Sequence, residues 1–346
     1  MIEYKVGNLL EADVEALVNT VNTVGVMGKG IALQFKQAYP QVFKEYEKAC
    51  RNDEVKTGEM FIVPVQSMFN PKYVINFPTK QHWKGKSKIE FIDTGLKALI
   101  ADIKRLNIQS IAIPPLGCGN GGLEWGEIRP KIDLAFATLP DVRVLVFSPT
   151  GAPKPEQMKI GTAKPHLTTA RALFIALMEN YAIPGYKLTL LEIQKLAYFL
   201  QEVGEPLNLK FEKKYYGPYA ENLNHVLIRL EGHYTRGYGD RTKDAEIFLL
   251  PNAAKEAISF LTENKESKER LNQVSEIIRG YETPYGMELL STVHWVMAKD
   301  PSLTTNCEMV IKKVHEWSSY KKKTFRENHI LKAWEHLNRV GMFSIT

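Results

Sequence analysis

The chain has 346 residues, of which 44% are hydrophobic and 24% charged, and its 45 basic and 39 acidic side chains leave a net charge of +6. This length predicts two domains, and so small a positive excess falls short of the footprint of a dedicated nucleic-acid-binding protein. No apolar run approaches the ~20 residues that cross a bilayer, and three scattered cysteines without metal-ligand spacing fit a reducing cytoplasm, so we expect a cytoplasmic protein with no membrane partner.

The N-terminal half alternates short strand-forming runs with helical patterns. Residues 1–6 have the character of a first strand rather than of a signal peptide. Alternating strands and helices predict a sheet with helices on both faces, and ligands bind to such folds at the carboxyl ends of the strands. The predicted strands are 3–6, 16–19, 60–65, 73–77, 110–113 and 143–147, and the predicted helices are 31–39, 40–50, 87–106 and 125–137.

A glycine-rich loop follows the second predicted strand. The apolar-rich residues 14–21 lead into residues 19–22 (Asn-Thr-Val-Asn), and residues 25–32 (Gly-Val-Met-Gly-Lys-Gly-Ile-Ala) then open a helix. Free backbone N–H groups and the positive end of the helix dipole favour an anion at such a place. The spacing Gly-x-x-Gly-x-Gly matches neither a Walker loop nor a dinucleotide fingerprint.

A basic and aromatic stretch follows the fourth predicted strand. Residues 81–83 (Gln-His-Trp) lie beside Lys84, Lys86 and Lys88. Lysines interleaved with an aromatic ring suit single-stranded DNA, through phosphate contacts and base stacking. They equally suit a mobile basic loop without a ligand, and both interpretations stay open.

The segment with the most glycine is residues 116–125 (Leu-Gly-Cys-Gly-Asn-Gly-Gly-Leu-Glu-Trp), directly after the apolar run 111–115. Glycine permits φ > 0, so consecutive N–H groups can point at one anion. The segment is either a phosphate-binding loop or a tight turn without a ligand. The loop at 25–32 favours the first, because two such loops hold the two ends of one diphosphate. Cys118 has no His or Asp nearby in sequence, which favours a small structural residue over a nucleophile.

Prolines and glycines concentrate between residues 148 and 165, as is typical of a linker. We place a domain boundary near residue 158, which gives domains 1–157 and 158–346. Beyond it the pattern is mostly helical, and Thr168 or Thr169 is expected to cap the first helix. The predicted helices are 170–181, 190–203, 222–230, 252–263, 266–278, 284–298, 305–315 and 325–338.

The first domain resembles the macrodomain family, whose members bind ADP-ribose. Its residues 7–10 (Gly-Asn-Leu-Leu), 19–22, 28–32 and 116–119 match the family's motifs, the last two in the lysine-dependent glycohydrolase branch. The resemblance implies an α/β macrodomain, with a mixed sheet flanked by helices on both faces, and a site that needs no cofactor and no metal. The residues it implies for ADP-ribose binding are Asn8, Leu9, Thr20, Val21, Asn22, Met27, Gly28, Lys29, Gly30, Ile31, Thr79, Leu116, Gly117, Cys118, Gly119, Asn120, Gly121, Gly122 and Phe147.

Within that branch, residues 76–83 (Asn-Phe-Pro-Thr-Lys-Gln-His-Trp) resemble the segment of the DarG antitoxins that bears the catalytic lysine, here Lys80. The resemblance implies removal of ADP-ribose from a nucleobase, expected to be thymidine, in single-stranded DNA, with ADP-ribose as product and a DarT-type toxin as partner. Lys80 either attacks the anomeric carbon as an amine or stays a cation that steadies the leaving base or a phosphate. His82 is either a proton shuttle or an exposed side chain. An ADP-ribose reader without turnover is the alternative function.

Two positions depart from the family pattern. Residues 120–122 (Asn-Gly-Gly) stand where protein-deacylating relatives carry an aspartate, and the helix expected from residue 125 turns Glu124 away. Asn8 stands where macrodomains hold an aspartate for the adenine amino group, and its carbonyl oxygen still accepts a hydrogen bond. Asn22 is expected to bond the distal ribose, and Phe147 either stacks on adenine or belongs to the core.

The second half resembles the Panacea-type antitoxin domain, which has the SocA-like fold. Residues 193–199 (Ile-Gln-Lys-Leu-Ala-Tyr-Phe) and 215–220 (Tyr-Tyr-Gly-Pro-Tyr-Ala) carry the resemblance. It implies a mostly helical module that neutralises a toxin, although an ordinary helical bundle with a Gly-Pro turn fits the periodicity equally well. Basic residues outnumber acidic ones in this half, so its composition does not support an acidic surface that mimics DNA.

Overall fold

The structure is a computed structural model that describes residues 1–150, 153, 157–183, 185–239 and 245–343. Its contacts divide the chain into two units, Met1–Ala163 and Lys164–Thr346, a short distance beyond the boundary expected between 157 and 158. Part of the expected linker, residues 151–152 and 154–156, lies outside the described residues. No helix in the described ranges is long and apolar enough to cross a membrane.

One mixed sheet organises the first unit. Its order is β1–β6–β5–β2–β4–β3, and neighbouring strands run parallel apart from the antiparallel pair of β3 and β4. Each strand lies within two residues of its predicted bounds, so the predicted mixed sheet is confirmed. The strands are β1 (Ile2–Lys5), β2 (Ala16–Val21), β3 (Phe61–Pro64), β4 (Tyr73–Pro78), β5 (Ser110–Ile113) and β6 (Arg143–Phe147).

Helices cover both faces of this sheet, as predicted. Successive side chains of a strand point to opposite faces. Val18 therefore packs in one core cluster with Ile92 and Ile128, whereas its neighbour Leu17 packs in another with Phe35. The helices are α1 (Gly30–Ala38), α2 (Pro40–Arg51), α3 (Ile89–Arg105) and α4 (Trp125–Phe136).

The second unit is mostly helical around its own apolar core, as predicted. Thr168 accepts from the N–H of Arg171 as the N-cap of the first helix, and Thr189 forms a capping box with Glu192 at the next. The prediction omitted one short helix, α12. The helices are α5 (Thr169–Tyr181), α6 (Leu190–Glu202), α7 (Leu223–Leu230), α8 (Ala253–Phe260), α9 (Lys265–Ile278), α10 (Pro284–Lys299), α11 (Cys307–Glu316), α12 (Ser319–Thr324) and α13 (Glu327–Arg339).

The second unit also contains short strands, for which the sequence analysis gave no individual bounds. Among them, β8 and β9 form a hairpin that α6 holds by its buried side chains. The Gln194 amide exchanges hydrogen bonds with the backbone N–H and C=O of Ala220, and Lys195 Nζ donates to the Pro218 carbonyl at 2.6 Å. The two segments that carry the resemblance in this half are therefore in contact. The strands are β7 (Leu188–Thr189), β8 (Phe211–Lys214), β9 (Gly217–Ala220), β10 (Thr235–Arg236) and β11 (Glu246–Leu249).

Candidate functional site

The candidate site lies where three adjacent parallel strands end. Strand β2 lies between β5 and β4 and runs parallel to both. The carboxyl ends of parallel strands meet at one edge of a sheet. The loop after β2, the lysine-bearing segment after β4 and the glycine loop after β5 therefore leave from the same edge, as the sequence predicted.

Asn22 builds the first loop from within. Its side-chain oxygen accepts from the N–H groups of Val24 (3.0 Å) and Val26 (3.3 Å), and its amide donates to the Val26 carbonyl at 2.6 Å. The Tyr46 hydroxyl donates to the Asn22 carbonyl at 2.6 Å, and burial raises the pKa of that phenol. The side chain expected to bond the distal ribose thus already shapes the loop, a role that sequence alone did not indicate.

The first loop ends at the N-terminus of α1, a place that favours an anion. Met27 and Gly28 are buried, and α1 begins at Gly30 with Lys29 as a cap that makes no side-chain hydrogen bond. The first N–H groups of an α-helix lack partners within the helix, and the dipole adds positive potential there. This end of α1, with Ile31 in its first turn, has the chemistry that a phosphate needs.

The second loop is compact and needs its glycines. Gly117 has φ +72°, and its carbonyl accepts from the Leu123 N–H at 3.0 Å. A Cβ at Gly121 would overlap the Gly117 carbonyl and the Ser87 hydroxyl, whereas a Cβ at Gly119 would meet nothing within 4 Å. Any side chain at Gly121 would therefore distort the loop.

Ser87 supports this loop from below, which the sequence analysis missed. Its N–H donates to the Gly121 carbonyl at 2.9 Å, and its hydroxyl is buried without a hydrogen-bond partner among the described residues. In the sequence, Ser87 stands just before helix α3, which is typical of an ordinary helix start and does not indicate a contact with the glycine loop. Its contact with the glycine loop is tertiary.

Lys80 contacts the second loop at Asn120. Its ammonium lies 3.2 Å from the Asn120 carbonyl and 3.4 Å from the Trp83 carbonyl, and burial lowers the pKa of this half-buried lysine. The Asn120 side-chain amide lies 3.2 Å from where a Cβ of Gly30 would stand, so the second loop also approaches the start of α1. Asn120 of the second loop thus lies close both to Lys80 and to the N-terminus of α1, where the first loop ends.

Hydrogen bonds also fasten the lysine segment to the first loop. The N–H of Thr79 donates to the Val21 carbonyl at 3.0 Å, one residue beyond the last strand pair, Val21 with Pro78. The N–H and hydroxyl of Thr23 both donate to the Gln81 carbonyl, at 3.1 and 2.8 Å. The lysine is therefore positioned from both sides.

The basic stretch after Lys80 is exposed. Trp83 is 43% exposed, stacks on His82 with ring centroids 5.5 Å apart, and lies 4.9 Å from the Lys84 ammonium. Nδ1 of His82 accepts from the Lys84 N–H at 3.2 Å. The His82 side chain is exposed, and this bond occupies one of its two ring nitrogens. Both observations favour the exposed-histidine interpretation over a proton shuttle.

Asn8 and Phe147 mark the place expected for adenine. The Asn8 oxygen accepts from the Leu10 N–H at 3.1 Å as the cap of a short 3-10 helix, and its amide donates to the Glu11 carboxylate at 2.9 Å. Phe147 is 8% exposed and packs in one core cluster with Leu9. Of its two interpretations, the structure favours core.

Cys118 is no nucleophile in this setting. Burial, with a smaller effect of Glu124, raises the pKa of its thiol to about 11, and the thiolate is the form that attacks. Leu116, just before the loop, is fully buried, and Gly122 is exposed. Among the described residues no His, Cys, Asp and Glu side chains form a group that could hold a metal ion.

Comparisons with known proteins identify relatives of this chain. A family profile described as the Macro domain matches residues 18–132. The DNA ADP-ribosyl glycohydrolase of Thermus aquaticus is 46% identical over 341 residues, which cover 99% of this chain and 94% of the relative. A Thermosipho africanus protein, named a DNA ADP-ribosyl transferase-DNA ADP-ribosyl glycohydrolase fusion, is 32% identical over 158 residues, covering 41% of this chain and 40% of its own. The solved macrodomain of Mycobacterium tuberculosis DarG matches at 56% identity and TM-score 0.43, covering 43% of this chain and 99% of that one.

Proposed function

The chain belongs to the DarG family of DNA ADP-ribosyl glycohydrolases, and from that membership we propose that it removes ADP-ribose from thymidine in single-stranded DNA and neutralises a DarT-type toxin. One observation carries the enzymatic part of this proposal. The Lys80 ammonium donates to the carbonyl of Asn120 in the second glycine loop, and the Asn120 side chain approaches the start of α1, where the first loop ends. An ADP-ribose reader needs the loops but has no use for the lysine.

ADP-ribose fits this edge of the sheet with its diphosphate between the two loops. Backbone N–H groups of residues 28–31, 117 and 119–121 would hold the phosphates, whereas those of Cys118 and Gly122 already donate to the carbonyls of Pro115 and Gly119. The adenine would lie toward Asn8 and the distal ribose toward Lys80. The negatively charged diphosphate needs no metal, since the backbone N–H groups of the loops and the start of α1 supply the positive potential.

In the reaction, the bond between the anomeric carbon and the base nitrogen breaks and its electron pair leaves with the base. Water forms the new carbon–oxygen bond, and its proton ends on the base. Positive charge develops on the sugar and negative charge on the base. Lys80, as a cation beside the distal ribose, would stabilise the departing base. Water would complete the hydrolysis without the loop aspartate of the protein-deacylating relatives.

The experiment measures release of ADP-ribose from a toxin-modified single-stranded oligonucleotide. We expect the intact chain and a Lys97→Ala control, altered at an exposed lysine of α3, to restore the oligonucleotide, and Lys80→Ala to fail. Binding of free ADP-ribose by each variant separates loss of chemistry from loss of the site. If the intact chain binds ADP-ribose but releases none, the protein is a reader.

The second unit would neutralise the toxin by binding it. The Thermosipho africanus fusion supports a pairing of the two activities, because its name places transferase and glycohydrolase in one chain. The resemblance of the segments around α6 and β9 to the Panacea-type domain supports a binding role for this unit. Co-purification of the cognate toxin with the intact chain tests it, and a toxin that fails to associate contradicts it.

A further inference from the structure

The second unit has an open hollow between β8, α10 and α11 whose lining combines tryptophans with lysines. Its volume of about 330 Å³ lies at the lower end of the roughly 300–1,000 Å³ common for ligand pockets. Nothing in the proposed glycohydrolase reaction uses it. It is lined by Lys213, Trp295, Val296, Lys299, Asp300, Lys313 and Trp317.

The charges of this hollow do not cancel. Lys313 lies 2.7 Å from the carboxylate of Asp300, so these two neutralise each other. Lys213 and Lys299 instead hold their ammonium groups over tryptophan rings, 4.6 Å from Trp317 and 5.0 Å from Trp295. Two exposed lysines therefore stand beside aromatic rings.

One acidic residue outside the lining, Glu202, interacts with a lysine of the hollow. The carboxyl of Glu202 lies near enough to Lys299 to interact with it, but burial raises the pKa of that carboxyl. Lys213 has no carboxylate within ion-pair distance in the part of the chain that the structure describes. The hollow keeps an excess of positive charge.

Aromatic and basic side chains continue beyond the hollow. The indole N–H of Trp317 donates to the Lys214 carbonyl at 3.0 Å. The next residue, Tyr215, is 56% exposed and stacks on Tyr320 of α12 with centroids 4.8 Å apart. Lys322, also on α12, is exposed. The surface around the hollow therefore has the same mixture of flat rings and cations.

We propose that this hollow binds a nucleotide unit, with its phosphate on Lys213 and Lys299 and its base stacked on the partly exposed ring of Trp295, which Lys299 uncovers when it moves onto the phosphate. Every base has a flat π-face, so stacking on an aromatic ring is tolerant of sequence, and lysines supply the phosphate contacts. An acidic protein segment would use the lysines but brings no flat base to stack on Trp295. The site goes beyond the proposed hydrolysis, since it lies in the unit without glycine loops. Its ligand comes from single-stranded nucleic acid or from free nucleotides.

The test titrates the intact chain with two probes, an unmodified ten-nucleotide oligothymidylate and thymidine 5′-monophosphate. The site variant is Lys213→Glu with Lys299→Glu. The control is Lys255→Glu with Lys268→Glu, which makes the same charge change at exposed lysines of α8 and α9. We expect the site variant to bind the oligonucleotide about tenfold more weakly and to lower the salt dependence by about one phosphate contact per lysine, while the control stays near the intact chain.

The two probes identify the source of the nucleotide. Tighter binding of the oligonucleotide indicates single-stranded nucleic acid, and equal binding of the monophosphate indicates free nucleotides. Equal loss in both variants, or no binding by the intact chain, overturns the proposal. The proposal is also overturned if the site variant binds both probes as the intact chain does but no longer binds the toxin, because the hollow is then a protein interface. Neither probe carries ADP-ribose, so such a failure leaves the glycohydrolase proposal standing.

Discussion

Two opposite influences act on Lys80. Burial disfavours its charged form and lowers its pKa, while the carbonyls of Asn120 and Trp83 accept hydrogen bonds from the ammonium and so favour the charge. A nucleophilic amine would need to give up one proton, and its two hydrogen bonds to these carbonyls would lose the help of the charge. The cation already has its partners. We therefore expect Lys80 to act as a cation that stabilises the leaving base.

Replacing Lys80 by arginine separates the two roles. Arginine keeps its charge at every pH a protein tolerates, but its planar head fits differently. We expect Lys80→Arg to retain activity reduced by about tenfold to a hundredfold. The intact enzyme should lose activity as pH rises through the lowered pKa of Lys80, and the arginine variant should not. The measurement is the pH profile of ADP-ribose release. An arginine variant as inactive as Lys80→Ala would instead indicate an amine that attacks.

Two glycines of the second loop form a matched pair. A methyl group at Gly121 would overlap the Gly117 carbonyl and the Ser87 hydroxyl, while the same group at Gly119 meets only open space. We expect Gly121→Ala to weaken ADP-ribose binding by about tenfold or more and to destabilise the fold by about 1–3 kcal/mol. Gly119→Ala should change neither quantity appreciably. Calorimetric titration and thermal unfolding measure both. Similar affinities for the two variants would mean that the loop does not hold the phosphates.

At the scale of elements, the sequence predicts those whose pattern is local. The strands and helices of the first unit have strong apolar periodicity, and glycine marks both loops directly. Strand β8 (Phe-Glu-Lys-Lys) is mostly polar and exposed, and it exists because β9 pairs with it and α6 holds the turn. The Ser87 support and the internal bonds of Asn22 likewise depend on partners distant in sequence or on loop geometry. Sequence alone could not reveal these contacts.

The β8–β9 hairpin is held by Lys195, whose charged form is disfavoured by its burial. Burial lowers the pKa of Lys195 to about 7, against about 10.4 in an unfolded chain. Between these values the unfolded chain binds more protons, so stability rises with pH by up to about 1.4 kcal/mol per unit. We expect Lys195→Met to shrink this rise between pH 7 and 9, as measured by urea unfolding. Lys265→Met, at an exposed position, should keep the full slope, and a Lys195→Met chain with that same slope would contradict the assignment.

At the scale of the whole molecule, two units with separate cores divide the proposed antitoxin work. The first carries the glycine loops and Lys80, and the second carries the proposed toxin-binding module and the nucleotide hollow. Chemistry that erases a modification and binding that prevents it protect a cell by independent routes. Loss of one route should therefore leave part of the protection in place.

This division predicts the behaviour of a catalytically dead chain. We expect the Lys80→Ala chain to co-purify with the toxin as the intact chain does, because the substitution is confined to the first unit. Growth of toxin-expressing cells should be restored in part by Lys80→Ala and in full by the intact chain. A variant that binds no toxin, or that rescues nothing, would place all protection in hydrolysis.

Asn120 gives the site a further property. Its carbonyl holds the Lys80 ammonium, and its side chain faces the start of α1 in the first loop. This one residue thus connects the proposed diphosphate site to the Lys80 cation. If a bound phosphate shifts Asn120, the position of the Lys80 ammonium shifts with it. Lys80 would then reach its position beside the glycosidic bond only after ADP-ribose has bound. Unmodified nucleotides of a DNA strand would enter the same site without being cleaved.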